Sequence, residues 1–426
     1  MENAYQATPF FTNDAIVLGL LMSVLALVFY LESSKKPFWV KFFTYIPSLL
    51  LCYFLPALLK WPLNLVDGEV SQLYYMASRY LLPAALILLC IGIDFKGIMK
   101  LGPKAIIMFL AGTLGVIIGG PVSLLIMEYV FPSFIPSNLT VTELWRGMST
   151  IAGSWIGGGA NQTAMKEIFD VTDNVFGIMI VVDVIVANIW MGFLLYGANI
   201  RDRLNRLLKA DNSAILELEN RMADYQASVK KIPTTTDSFI LMAIAFGSVA
   251  LSHWATDLVT PYMQTHREFL ASINLQSFAS SFFWLVVFAT TIGLGLSFTK
   301  ARKLEGVGAT RWGSVFIYVL VATIGMKMDL KQIFVKDNIG LFMIGITWML
   351  VHIIILLTVA KIIRAPFFFV AVGSQANIGG AASAPIVASA FNPSLASVGV
   401  LMAVLGYALG TYGALICAIL MEMVAV

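Results

Sequence analysis

Long apolar segments separated by short polar loops recur along the whole chain. An α-helix rises about 1.5 Å per residue, so crossing a membrane core of about 30 Å takes about 20 apolar residues. By this measure the pattern predicts ten crossing helices. The predicted segments are 15–31, 42–59, 77–93, 104–127, 174–198, 238–254, 278–298, 312–325, 339–362 and 395–421.

Two further segments, 148–169 and 367–391, are apolar but rich in Gly, Ser, Asn and Gln. The distribution of Lys and Arg indicates how they are placed, because short cytoplasmic loops are enriched in both. The linker 200–236 carries seven Lys or Arg residues, and it is cytoplasmic only if segment 148–169 enters and leaves the membrane on the same side. The pattern therefore predicts two re-entrant hairpins, with both chain termini outside.

The loop 327–338 is an exception to this topology, which places it outside although it contains Lys327, Lys331 and Lys336. Asp329 and Asp337 offset two of these charges. Because Lys and Arg are in larger excess in the linker 200–236, we keep the topology that places the linker in the cytoplasm.

The composition agrees with a membrane protein. Of 426 residues, 59% are hydrophobic and only 12% are charged, whereas soluble proteins carry about 25% charged residues. This excludes a soluble enzyme, a nucleic-acid-binding module and a disordered scaffold. We expect the chain to lie in the inner (cytoplasmic) membrane, in contact with the lipid bilayer, and its net charge of +3 gives no reason to expect a nucleic-acid partner.

The two halves of the chain resemble each other around the hairpins. An Ile-Gly-Gly-x-Ala core begins at Ile156 and again at Ile378, each following a Gly-Ser pair. We predict an N-terminal repeat (1–199), an amphipathic linker (200–236) and a C-terminal repeat (237–426). Because each repeat has an odd number of crossings, five, the repeats are inverted. Inverted repeats with broken segments at mid-membrane are typical of secondary transporters.

The hairpins contain the candidate substrate-binding residues. Non-helical backbone at membrane depth must be buried in protein or line a wet cavity, since unpaired polar groups in lipid are costly. Close packing of helices explains the small residues but not Asn, Gln and Ser in both hairpins. The predicted binding residues are Ser154, Gly157, Gly158, Gly159, Asn161, Gln162, Thr163, Ser374, Gln375, Asn377, Gly379, Gly380 and Ser383.

Asp183 lies near the middle of the fifth predicted crossing, where a carboxylate is costly unless it has a partner. We predict that Asp183, with Asn188, binds a coupling cation, Na⁺ or H⁺. The alternative is a structural ion pair with a buried base, for which Arg79 and Arg146 are the candidates. His352 is also at membrane depth, but a lone His on an apolar helix more often makes a hydrogen bond within the bundle.

The sequence lacks the motifs that ATP-driven transporters and zinc metalloproteases require. The chain has no phosphate-binding loop of the Walker type and no His-Glu-x-x-His motif. We therefore expect neither ATP-driven transport nor an enzyme, and no cofactor beyond the coupling ion.

The hairpin motifs carry a resemblance to known families. Gly-Ser-Trp-Ile-Gly-Gly-Gly-Ala-Asn (153–161) and Ser-Gln-Ala-Asn-Ile-Gly-Gly-Ala (374–381) resemble those of the YjcL-like integral membrane family known as domain of unknown function 819. The five-crossing repeat resembles, more distantly, the glutamate:sodium symporters and 2-hydroxycarboxylate transporters, in the cation:proton antiporter and anion transporter fold. The resemblance implies a homodimeric scaffold and a mobile core that moves like an elevator, with the hairpin glycines contacting substrate and ion. Neither hairpin contains Arg, which argues against a dicarboxylate substrate.

The leading hypothesis is a secondary transporter, Na⁺-coupled, for a small polar or anionic organic solute such as an amino acid, short peptide or carboxylate. One alternative is a cation/proton antiporter that uses Asp183 as its exchanging carboxylate. A channel is a further alternative, and an intramembrane enzyme ranks last.

Overall fold

In the computed structural model, every regular element formed by the described residues is a helix. The described residues are 9–46, 48–68, 70–93, 98–99, 101–136, 139–210, 233–272, 276–327, 339–392 and 395–425. Most of the linker and most of the loop 327–338 therefore lie outside the described residues. The helices of the first half are α1 (Asp14–Glu32), α2 (Pro37–Tyr45), α3 (Ser48–Lys60), α4 (Leu73–Ile91), α5 (Pro103–Tyr129), α6 (Val141–Gly157), α7 (Gly159–Ile168) and α8 (Asp173–Asn199).

The second half follows a short helix in the linker. Its helices are α9 (Arg201–Leu208), α10 (Thr235–Thr265), α11 (Arg267–Ser272), α12 (Ser281–Ser297), α13 (Ala309–Gly325), α14 (Ile339–Ile362), α15 (Phe367–Ile378), α16 (Gly380–Phe391) and α17 (Ala396–Val424). Short 3₁₀ helices occupy Pro132–Phe134, Gln276–Ala279 and Lys300–Val307.

Fewer helices than the predicted ten have the length and composition of a full crossing. Six of those described pass, namely α1, α4, α5, α8, α10 and α14, and up to eight pass if two bent pairs count as single spans. The bent pairs are α12 with the 3₁₀ helix after it, at 97°, and the two parts of α17, at 53°. The predicted second crossing is divided between α2 and α3, and α13 has only 17 residues, so these segments are apolar but short.

The two Gly-rich segments are helical hairpins. In a continuous helix, residues eight apart are separated by about 12 Å. Here the Gln375 Nε2 donates to Ser383 Oγ at 2.6 Å, and a Cβ on Gly153 would press on the Asn161 carbonyl, so each segment folds back on itself. We call α6–α7 the first hairpin and α15–α16 the second hairpin.

Each hairpin turns at a glycine with a left-handed backbone. The φ angles are 76° at Gly158 and 56° at Gly380, a region that glycine adopts without steric cost. Both residues occupy the last position of the Ile-Gly-Gly motif that the sequence comparison aligned. The resemblance between the halves therefore extends to the backbone at the turn.

The helices form two packed groups. The first contains the two hairpins together with α5, α8, α14 and α17, and the second contains α1, α3, α4, α10, α12 and α13. In the first group α5 presents glycines to α14: Gly115 lies against His352, and Gly119 lies against Trp348. Trp348 in turn packs against Trp155 of the first hairpin with ring centroids 5.3 Å apart. This close packing fixes the first hairpin in the interior.

Buried ion pairs hold the far end of the first hairpin. Lys166 Nζ lies 3.0 Å from Asp173 Oδ1 and donates to the Tyr74 hydroxyl at 2.9 Å. The second oxygen of Asp173 lies 3.3 Å from Lys327 Nζ, at the end of α13. Lys327 is thus paired with a carboxylate at the start of another helix, α8. We call Lys166, Glu167, Asp173, Lys327 and Tyr74 the ion-pair cluster.

The linker helix α9 holds both ends of the second hairpin. The Asn205 side-chain oxygen accepts from the backbone N–H of Phe367, where α15 begins, at 2.8 Å. Arg201 donates to the carbonyl of Phe391, where α16 ends, at 2.9 Å. The predicted amphipathic connector thus begins as a helix that is attached to a hairpin more than 150 residues further along the chain.

Candidate functional site

The two hairpin tips and the middle of α8 face a common cavity of about 260 Å³. The first hairpin contributes Ser154, Gly158 and Gly159, and the second contributes Gln375, Gly379, Gly380 and Ser383. α8 contributes Asp183 and Asn188. The wall on the other side comes from the second helix group, through Ser48, Leu89, Ser314, Ile317 and Tyr318. The cavity therefore lies where the two helix groups meet.

Asp183 is held by hydrogen-bond donors from the first hairpin. Its Oδ1 accepts from the indole N–H of Trp155 at 2.6 Å, and its Oδ2 accepts from Gln162 Nε2 at 3.0 Å. The Ser154 hydroxyl makes a further hydrogen bond to the carboxylate. Asp183 is 6% exposed. Neutral donors of this kind stabilise a carboxylate without neutralising its charge.

Asp183 does not form the structural ion pair that was the alternative at the sequence level. Among the described residues no ion pair includes it. Arg79 instead lies 3.5 Å from Glu167, and Arg146 lies over the ring of Trp145. The negative charge of Asp183 thus remains available to the cavity.

The structure brings nine of the predicted site residues to the cavity and places six around it. The residues that line it are Ser154, Gly158, Gly159, Asp183, Asn188, Gln375, Gly379, Gly380 and Ser383. The six that do not line it, among the described lining residues, are Gly157, Asn161, Gln162, Thr163, Ser374 and Asn377.

Asn161 and Asn377 bind the polypeptide itself and secure the hairpins. Asn161 Nδ2 donates to the carbonyls of Gly157 and Tyr407, and its Oδ1 accepts from Thr411. Asn377 accepts from Thr113 at 2.8 Å and donates to two backbone carbonyls. All of these side-chain groups have protein partners that position the hairpins, and a role in substrate binding stays a prediction.

Ser374 belongs to a hydrogen-bond chain with His352. Trp190 Nε1 donates to Ser374 Oγ at 2.8 Å, and His352 Nε2 lies 2.8 Å from the same oxygen. His352 Nδ1 lies 3.0 Å from the carbonyl of Gly112, which only accepts, so the proton is on Nδ1 and Ser374 donates to Nε2. His352 thus makes its hydrogen bonds within the bundle, and the predicted role of Ser374 in substrate binding stays a prediction.

Gly157, Gln162 and Thr163 also have structural contacts. Gly157 packs against Gly410 of α17 so closely that a Cβ would collide with it. Gln162 donates a hydrogen bond to Asp183, and Thr163 donates a hydrogen bond to the carbonyl of Gly159.

Sequence reasoning missed several residues of the site, among them two tyrosines and a tryptophan. Tyr318 of α13 and Tyr407 of α17 line the cavity, and Trp155 supplies the shortest hydrogen bond to Asp183. Trp155 gave one usable signal, since a buried indole N–H usually needs a hydrogen-bond partner. The two tyrosines gave none, because their segments share no motif with the hairpins.

A family model described as "Protein of unknown function (DUF819)" matches residues 19–424. No curated protein matches the chain.

Proposed function

Because the chain belongs to the DUF819 family of membrane proteins, for which the matching description gives no function, we propose its function from the site: a secondary transporter, coupled to Na⁺ or H⁺, for a small polar solute. The observation that carries the proposal is the cavity formed by two hairpin tips and a carboxylate that makes no ion pair with any described residue. Such a combination, at the meeting point of two half-repeats, is how secondary transporters build their binding sites.

The helix contacts support an inverted repeat. If α1, α3, α4, α5 and α8 correspond to α10, α12, α13, α14 and α17, then contacts should occur in matched pairs. α4 packs on α12, and its counterpart α13 packs on α3. α8 contacts α6 and α16, and its counterpart α17 contacts α15 and α7, the hairpin arms that correspond to them in the other half. This exchange is what a two-fold relation between the halves requires.

The position of the cavity favours an elevator-like movement. The ion and solute groups belong to the first helix group, whereas Ser48, Ser314 and Tyr318 belong to the second. Sliding of the first group along the second would carry Asp183 and both tips together and would change the side to which the cavity opens. A homodimer that fixes the second group in the membrane remains part of the proposal.

The test is the thermal stability of the purified protein in Na⁺ or K⁺ at constant ionic strength, followed by uptake into proteoliposomes. An ion that binds only the folded state stabilises it by about 2.7 kcal/mol at a hundredfold excess over Kd. We expect a Na⁺-specific increase in the melting temperature that is lost in Asp183→Asn. Asp67→Asn, at a half-buried position outside the cavity, is the matched control.

Other outcomes separate the alternatives. A strong pH effect without a Na⁺ effect, dependent on Asp183, would favour the cation/proton antiporter, which transports without an organic solute. Non-saturable ion flux would favour a channel. Absence of both the Na⁺ and the pH effect would reject Asp183 as the coupling site.

A further inference from the structure

The amide groups of the cavity wall use their nitrogens within the protein. Asn188 Nδ2 donates to the carbonyl of Val184 at 2.9 Å, which fixes the orientation of this amide because a carbonyl only accepts. Gln375 Nε2 donates to Ser383 Oγ. Both side chains are therefore left with an oxygen to offer to a ligand.

No described residue donates a hydrogen bond to the side-chain oxygen of Gln375. Gln375 is 2% exposed, and its Oε1 is buried without a hydrogen bond. A buried acceptor that is left unpaired is costly, so this oxygen calls for a hydrogen-bond donor or a cation. Gln375 lines the same cavity as Asp183 and Asn188.

The formal charge of the cavity is negative. Among its described lining residues Asp183 is the only charged one, and none is Lys, Arg or His. The helix ends do not change this balance. α6 and α15 end at the tips and α7 and α16 begin there, so two negative and two positive helix ends oppose each other.

Resting on the transporter function proposed above, we propose that the centre of this cavity binds a single positive charge, either Na⁺ or the ammonium group of an amine solute. Gln375 of the second hairpin binds this charge together with Asp183 and Asn188. The described wall offers an anionic solute no basic side chain, so such a solute enters only with a cation already bound.

This assignment gives the cation a mechanical role. Asp183 and Asn188 belong to α8, whereas Gln375 belongs to the second hairpin. A cation shared by these three side chains would draw the hairpin towards α8. An empty site leaves the hairpin without this attachment, so occupancy and hairpin position are linked.

The electrostatic part is tested with a cysteine that reports the charge preference of the cavity. Ser314→Cys places a thiol in the wall, outside the proposed ligand set. Its reaction is measured with a cationic and an anionic methanethiosulfonate reagent of similar size, and each rate is divided by the rate with free 2-mercaptoethanol. The wild type, whose cysteines 52, 90 and 417 are buried, gives the background.

We expect the cationic reagent to react at least about tenfold faster than the anionic one, since a cleft lined by one sign of charge concentrates opposite ions by this order or more. The preference should fall to near unity when Asp183→Asn is added. Equal rates in the Asp183 protein, or a preference for the anionic reagent, would overturn the proposal. This readout is independent of transport, so it remains informative if the proteoliposomes show no uptake.

Protection against the cationic reagent identifies the source of the charge. Protection by NaCl but not by methylammonium chloride assigns Na⁺, and the reverse assigns an amine. Gln375→Met should raise the concentration needed for half protection about tenfold, the equivalent of one hydrogen bond to a charged group. Gln72→Met, at an exposed position, is the control. Protection by neither cation, or an unchanged value in Gln375→Met, would overturn the assignment of the ligand set.

Discussion

Asp173 is expected to be the most sensitive position of the ion-pair cluster, because one carboxylate serves two lysines. Its oxygens lie 3.0 Å from Lys166 and 3.3 Å from Lys327. The side chain of Lys166 is 6% exposed, and that of Asp173 is 19% exposed. The substitution Asp173→Asn keeps the shape and one acceptor oxygen but removes the charge.

The loss of stability expected for Asp173→Asn follows from these distances. At an effective dielectric constant of about 20, each pair attracts by about 5 kcal/mol, and the desolvation of three charged groups offsets much of the sum. Removing one partner of a buried pair typically costs about 3–5 kcal/mol. We expect Asp173→Asn to lower the free energy of unfolding by about 3 kcal/mol, at the low end of this range. The reason is that Lys166 retains its hydrogen bond to Tyr74 and its contact with Glu167.

The assay is thermal unfolding in detergent for Asp173→Asn, Lys166→Met and the double variant. Asp67→Asn is the control, because the Lys60–Asp67 pair has a similar distance of 3.3 Å but side chains that are 28% exposed. Exposed pairs contribute about 1 kcal/mol or less. The reasoning is refuted if Asp173→Asn destabilises no more than Asp67→Asn, or if the two single effects simply add in the double variant.

Three further substitutions test the hairpins and the loops. Gly158→Ala should destabilise the first hairpin by about 1–2 kcal/mol, because φ is 76° there, and thermal unfolding against the wild type measures it. Thr140→Ala should cost about 1 kcal/mol in the same assay, since Thr140 and Glu143 form the capping box of α6. Burial raises the pKa of Glu305, in the 3₁₀ helix after α12, so the folded state loses stability as pH rises from about 4.5 through the raised value. Glu305→Gln should therefore raise the melting temperature more at pH 8 than at pH 4, and a uniform effect would show that burial of the charge is not the cause.

The hairpins could be predicted from the sequence because their signal is local. A tight turn inside a membrane requires a backbone that few residues adopt, so the glycines of the Ile-Gly-Gly motif appear at the turn itself. Asp183 was predictable for a related reason, since a lone carboxylate in an apolar segment is rare and costly. Both signals depend on a residue and its immediate surroundings.

The remaining parts of the site depend on contacts between distant segments. Asn161 and Gln375 are both polar hairpin residues, yet one binds α17 and the other faces the cavity. Nothing in the composition distinguishes them, because the difference is the direction in which each side chain points. The pairing of Asp173 with Lys327, 154 positions further along, is equally hidden.

The two hairpins also differ in how firmly they are held, and this difference predicts which one moves. The buried ion pairs of Lys166 fix the far end of the first hairpin. The second hairpin is held at its ends by hydrogen bonds from α9, and the hydrogen bond from Arg201 is exposed to solvent. Exposed hydrogen bonds exchange readily with water and contribute little. In hydrogen–deuterium exchange we therefore expect residues 367–391 to exchange faster than residues 141–168, and Asn205→Ala to increase this difference. Slower exchange in the second hairpin would contradict the argument, and it would make the first hairpin the moving gate.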